Sequence, residues 1–88
     1  KMLVGFSAET ENLIENSIIK LNNKYCDIII ANDISKKKLG FNVDFNKVSI
    51  IEKSGKIENL PKNKKSYIAS KIAKKIIDKF LIDDNNTN

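Results

Sequence analysis

Apolar positions follow two rhythms along this chain. Met2–Ala8 and Asp27–Ala31 are short, nearly continuous apolar runs, the pattern of strands buried on both faces of a parallel sheet. Between them Ile14, Ile18 and Leu21 recur at helical spacing, which predicts a helix over about residues 11–24. Thr10 reads as its N-cap, and Glu9 and Glu11 suit the positive end of its dipole. Strand, helix and strand then form one right-handed β-α-β unit.

Beyond a long polar loop, Ile34–Asn46, the rhythm changes again. Lys47–Glu52 and Ile57–Leu60 flank Lys53-Ser54-Gly55-Lys56, which predicts an antiparallel hairpin with Gly55 free to take positive φ. Pro61 stops its second strand. Ile68, Ile72, Ile76 and Phe80, widened by Ala69 and Ala73, predict a helix over about residues 64–82 with Asn63 as N-cap. Its lysines Lys71, Lys74, Lys75 and Lys79 lie on the other side, and packing over the hairpin is preferred to lying on a membrane. The predicted fold is α/β, a fragment of a Rossmann-like sheet: β-α-β, a β-hairpin and a C-terminal helix. Residues 83–88 read as a frayed, disordered tail.

Length and composition narrow the classes. The 88 residues make one small domain with a thin core, and the chain opens straight into a strand, as a piece of a longer protein would. No apolar run is long enough for a membrane helix. The single cysteine, Cys26, builds no disulfide framework and points to a reducing compartment. With no histidine, a Ser-His-Asp triad and the commonest zinc sites are excluded, and Cys26 reads as a packed thiol. The formal charge is +5 and every basic residue is lysine. That is either a solvated lysine surface or the mark of an anionic partner, and specific base readout would favour arginine.

Candidate chemistry is sparse. No glycine-rich phosphate cradle, Cys/His metal spacing or paired acid/base carboxylates occur. Phe6 reads as core filler or as an aromatic plate for a flat base. Lys20 and Lys24, one helical turn apart, read as a solvated face or as a clamp on an anion. Asn32 and Asp33 close the second strand, at the end where open α/β sheets bind ligands. Asp33 reads as a loop cap, or as a ligand of a ribose hydroxyl or a metal. The expected geometry brings the Phe6 ring and both ammonium groups into one pocket at the sheet rim.

Several ordered phrases resemble the C-terminal half of the phosphopantothenoylcysteine synthetase family, the phosphopantothenate–cysteine ligases of coenzyme A synthesis. They are Val4-Gly5-Phe6-Ser7-Ala8-Glu9-Thr10, Asp27 with Ala31-Asn32-Asp33-Ile34-Ser35, Gly40-Phe41-Asn42 with Asp44 and Asn46, Leu60-Pro61 and the closing helix. The resemblance implies that residues 1–82 are the C-terminal part of a nucleotide-binding ligase domain. In bacterial members CTP with magnesium cytidylylates 4′-phosphopantothenate, and cysteine then displaces CMP; eukaryotic relatives use ATP. It further implies that Phe6, Lys20 and Lys24 bind the nucleotide, while Asn32 and Asp33 shape the site.

The same resemblance implies a cytoplasmic homodimer, with FMN only where a decarboxylase is fused upstream. Ser7 stands where alanine is usual, and Val43 where a small or polar residue is. The family's glycine-rich opening, its asparagine for the second half-reaction and its Lys-x-Lys-Lys segment are not in these residues. The chain alone is therefore expected to be inactive, with no catalytic residue and no metal ligand of its own. The alternatives are a non-catalytic binding or dimerisation module and a basic nucleic-acid-binding fragment.

Overall fold

The apolar runs do become strands, and the helical stripes become helices on either side of them. A computed structural model describes residues 1–34 and 47–85, with side chains through residue 82. In chain order the elements are β1 (Val4–Glu9), α1 (Leu13–Asn23), β2 (Ile28–Asp33), β3 (Val48–Glu52), β4 (Ile57–Leu60) and α2 (Lys65–Asn85). The strands lie in the order β1-β2-β3-β4. β1 runs parallel to β2, with Phe6 opposite Ile30 and Glu9 opposite Asp33. β3 is antiparallel to both β2 and β4. The expected mixed α/β architecture is thus met.

Strand alternation sends successive side chains to opposite faces. One face carries Ile28, Ile30, Val48, Ile50 and Leu60, closed over by Ile68 of α2. The other carries Ile29, Ala31 and Ile51, closed by Leu21 of α1 with Cys26. β2 is the centre of both, its Ile28–Asn32 stretch being buried throughout. Gly5 faces α1, where an added Cβ would stand 2.8 Å from Cys26 Sγ. That close approach, rather than a turn, is why glycine fits β1 there.

The helix ends differ from expectation. β1 extends through Glu9 because its pairing continues to Asp33, and Ile34 N–H donates to Glu9 O at 3.0 Å. This displaces the start of α1: its N-cap is Asn12, in the left-handed region at φ 49°, not Thr10. The C-terminus closes as a Schellman turn, with Cys26 N–H donating to Leu21 O and Tyr25 N–H to Asn22 O. Tyr25 holds the left-handed position at φ 55°. The inner stripe of α1 also shifts: Ser17 is fully buried, whereas Ile18 is 37 % exposed. The burial of Ser17 is satisfied by Ser7 across the interface, their hydroxyls 2.8 Å apart.

The hairpin turns at Gly55, φ 102°, with Gly55 N–H donating to Glu52 O. Asn63 Oδ1 accepts from Lys64 N–H at 2.7 Å, just before α2 begins. The long helix does not lie flat on the sheet. Ile68 is buried and Ile72 packs beside the core, but Ile77, Phe80, Leu81 and Ile82 are more than half exposed. The proposed cover of the hairpin is therefore made by the first half of α2, reinforced by Lys75 on Glu58 at 3.0 Å and Lys79 on Glu52 at 3.7 Å. Residues 35–46, on which nearly all of the expected loop Ile34–Asn46 falls, and residues 86–88 of the expected tail lie outside the described residues, whereas α2 runs on through Asn85. Among the described residues no helix is long and apolar enough to cross a membrane.

Candidate functional site

β1, β2 and the two helices position every candidate residue, and the sheet divides them. Phe6 alternates onto the α2 face, where it is 61 % exposed. It is therefore not core filler. With Lys65, Ala69, Ile72 and Ile76 it lines an open apolar groove of about 460 Å³. Lys20 belongs to the opposite face. Its ammonium reaches Glu9 at the carboxyl end of β1, 2.5 Å away, leaning toward the helix N-terminus as long helical side chains do. Lys24 is exposed at the C-cap of α1, beside the start of β2 rather than its end.

The expected single pocket is accordingly not formed by these side chains as they stand. A strand's period of two sets Phe6 and Glu9 on opposite faces, so the ring and the ammonium held by Glu9 are separated by β1 itself. What joins them is only the outer edge of β1, which among the described strands pairs with β2 alone.

The carboxyl end of β2 is a different kind of place. Asn32 is fully buried on the α2 face, between Ala8 and Val48 in register, and among the described residues neither its Oδ1 nor its Nδ2 has a hydrogen-bond partner. An orphaned buried amide costs about 1–3 kcal/mol. Asp33 points to the α1 face and meets Lys47, Oδ2 to Nζ 3.5 Å, while the Asp33 N–H donates to Lys47 O. A cavity of about 250 Å³ opens there, walled by Leu13, Ile14 and Pro61 and reached by Asp33, Lys47 and Asn59. Ser49 Oγ donates to Asn59 Oδ1 at 2.6 Å, on the strands that frame it.

Sequence reasoning named Asp33 and missed Lys47, Ser49 and Asn59. No local signal set the last two together: a two-residue Ser54-Gly55 turn would pair Ser49 with Leu60, and it is the three-residue turn 53–55 that sets Ser49 opposite Asn59. At the other end of β2, Asp27 accepts from Leu3 N–H at 2.8 Å and pairs with Lys53. The Leu3 hydrogen bond, aided by Lys53, holds its carboxyl below the ordinary range. Among the described residues no cluster of His, Cys, Asp and Glu is grouped to hold a metal ion.

Comparison with known proteins gives these placements a context. The family model for the DNA/pantothenate metabolism flavoprotein C-terminal domain matches residues 1–80. The Bacillus subtilis coenzyme A biosynthesis bifunctional protein CoaBC is 37 % identical over 76 residues, 86 % of this chain and 19 % of that protein. Its Escherichia coli K12 counterpart is 33 % identical over 84 residues, 96 % of this chain and 20 % of that protein. A cysteine/cysteine sulfinic acid decarboxylase from an unknown prokaryotic organism is 35 % identical over 77 residues, 88 % of this chain and 21 % of that protein. The chain thus spans about a fifth of the length of the curated relatives it matches. Among solved structures, the C-terminal domain of a CoaBC protein superposes with a TM-score of 0.71 at 32 % identity, covering 96 % of this chain and 36 % of that one.

Proposed function

The chain belongs to the family of DNA/pantothenate metabolism flavoprotein C-terminal domains, and from that premise we propose that it is part of a phosphopantothenate–cysteine ligase of coenzyme A synthesis. The observation that carries this reading is the continuous correspondence with the CoaBC C-terminal domain over 96 % of the chain, in sequence and in structure together. In this reading the longer enzyme, a cytoplasmic homodimer, couples cysteine to 4′-phosphopantothenate through an acyl-cytidylate, and this segment contributes to the CTP site.

The geometry sets a condition on that role. Phe6 and Lys20 flank the β1 edge from opposite faces, so the nucleotide must straddle that edge, base toward Phe6 and phosphates toward α1. Lys20 would then exchange Glu9 for phosphate, a swap of one charge-assisted contact for another. Lys24 adds a second point charge one turn away. Magnesium would arrive with the triphosphate as part of the substrate. Asn32 and Asp33 shape the adjoining carboxyl end of β2.

Acetylation footprinting tests the reading. In the protein carrying this chain, saturating Mg-CTP should slow acetylation of Lys20 and Lys24 while leaving Lys53 and Lys56 on the hairpin unchanged. Equal labelling with and without CTP overturns it.

A further inference from the structure

The ammonium that the nucleotide reading assigns to phosphate is already neutralised. Lys20 rests on the Glu9 carboxylate at the carboxyl end of β1. Among the described residues that carboxylate is bonded by Lys20 alone, and the Lys20 ammonium by Glu9 alone. The two partners are unequally placed. The Glu9 side chain is 10 % exposed, that of Lys20 44 %. Glu9 is also fixed through its backbone, its O accepting from Ile34 N–H, and in register beside it stands a second acid, Asp33. Lys20 is a point charge on a flexible stem and can swing outward, whereas Glu9 stays.

That asymmetry sets the charge a ligand meets. A bare polyphosphate that takes Lys20 leaves a mostly buried carboxylate uncompensated, facing negative charge. A polyphosphate carrying a divalent cation has both signs. Its oxygens take the ammonium while its metal meets the carboxylate, and one or two carboxylates together with substrate phosphates are the setting that suits magnesium. The metal arrives on its ligand, and no metal site in the chain itself is needed. We propose that Glu9 is a specificity-determining residue, which admits a metal-chelated polyphosphate to Lys20 and turns away the free one. That the polyphosphate belongs to CTP rests on the function proposed above. The preference for its chelate comes from the Glu9–Lys20 pair.

Calorimetric titration at fixed ionic strength tests it, using the protein that carries this chain. The probes are CTP and inorganic tripolyphosphate, each with excess magnesium and each in EDTA. The unsubstituted protein should bind either magnesium form about tenfold or more tightly than its free form, as like charges set side by side imply. In Glu9→Gln the free forms should bind more tightly than they do to the unsubstituted protein, narrowing the preference by about tenfold. A gain of affinity is the readout because a merely structural role for Glu9 would lower all four affinities together. Glu9→Asp keeps the charge and should keep the preference. Equal binding of magnesium and free forms by the unsubstituted protein overturns the proposal without any variant having to fold. So does a magnesium preference that Glu9→Gln leaves intact. In both cases protection of Lys20 and Lys24 by CTP still upholds the nucleotide reading. Magnesium-selective binding of tripolyphosphate that Glu9→Gln abolishes, with no binding of CTP, supports the role of Glu9 and overturns the nucleotide reading instead. Binding of none of the four overturns both.

Discussion

The two faces of this sheet are built from the same isoleucines and held together differently. On the α1 face the helix is tied at both ends by short connections to the strands it covers. It can therefore approach closely, with a serine-to-serine contact and a glycine set against a thiol. On the α2 face the helix follows the hairpin and buries little beyond its first turns. Its first turns bury Ile68 and rest Ile72 on the core, and beyond them the contact passes to ion pairs on Glu52 and Glu58. Among the described residues α1 is held by apolar packing, whereas α2 is held by apolar packing over its first turns and by ion pairs beyond them.

Truncation inside the shared core should have the largest effect and separate the two halves of α2. Ile30→Ala should destabilise by about 2–5 kcal/mol in denaturant unfolding. Ile77→Ala, on the exposed half of α2, should stay within about 0.5 kcal/mol. A comparable loss at both positions would mean that α2 lies flat on something in solution.

The close approach on the α1 face is tested by Gly5→Ala. Its methyl would stand 2.8 Å from Cys26 Sγ, too near without movement of the packed thiol. We expect a loss of about 1–3 kcal/mol. Cys26→Ala should restore part of it in the double variant, a coupling read from the four melts of a mutant cycle. Additive losses would show that the helix, not the thiol, gives way.

On the α2 face Glu52→Gln removes the carboxylate that Lys75 and Lys79 share. The expected global loss is modest, about 1 kcal/mol, because these lysines are partly solvated. Hydrogen exchange should quicken in the second half of α2 and not in α1. Uniform acceleration would break the contrast between the faces.

The smallest effect is on pH dependence, and it runs in opposite directions. The carboxyl of Asp27 is lowered by the Leu3 N–H and by Lys53, so its contribution is present above the ordinary carboxylate range and lost as pH falls through the lowered value. Lys75 is raised by its bond to Glu58, against some desolvation, so its contribution is present below the ordinary lysine range and lost as pH rises through the raised value. Melts of Asp27→Asn should therefore converge on the unsubstituted protein as pH falls through the lowered carboxyl value, and those of Lys75→Met as pH rises through the raised ammonium value. Convergence at the wrong end would refute the assignment.

Much of this was legible from local pattern. The apolar run Ile28–Ala31 could only be a central strand. The Ser-Gly turn set β3 against β4, and the isoleucine stripes marked both helices. Those signals are local, because each depends on residues a few positions apart. Lys20 and Lys24 were visible as a pair for the same reason. The partner of Lys20 was not, since Glu9 became one only when β1 extended to meet Asp33. Ser17 hid in a polar identity that Ser7 alone makes tolerable to bury. The face on which Phe6 emerges, the coverage reached by α2, and the meeting of Asp33 with Lys47 and Asn59 all depend on which strands pair and in what register. Register is a long-range choice, and a shift of one residue reverses every side chain. Element order and type were thus written into the chain itself, while the faces, and with them the sites, came into being only on assembly of the sheet.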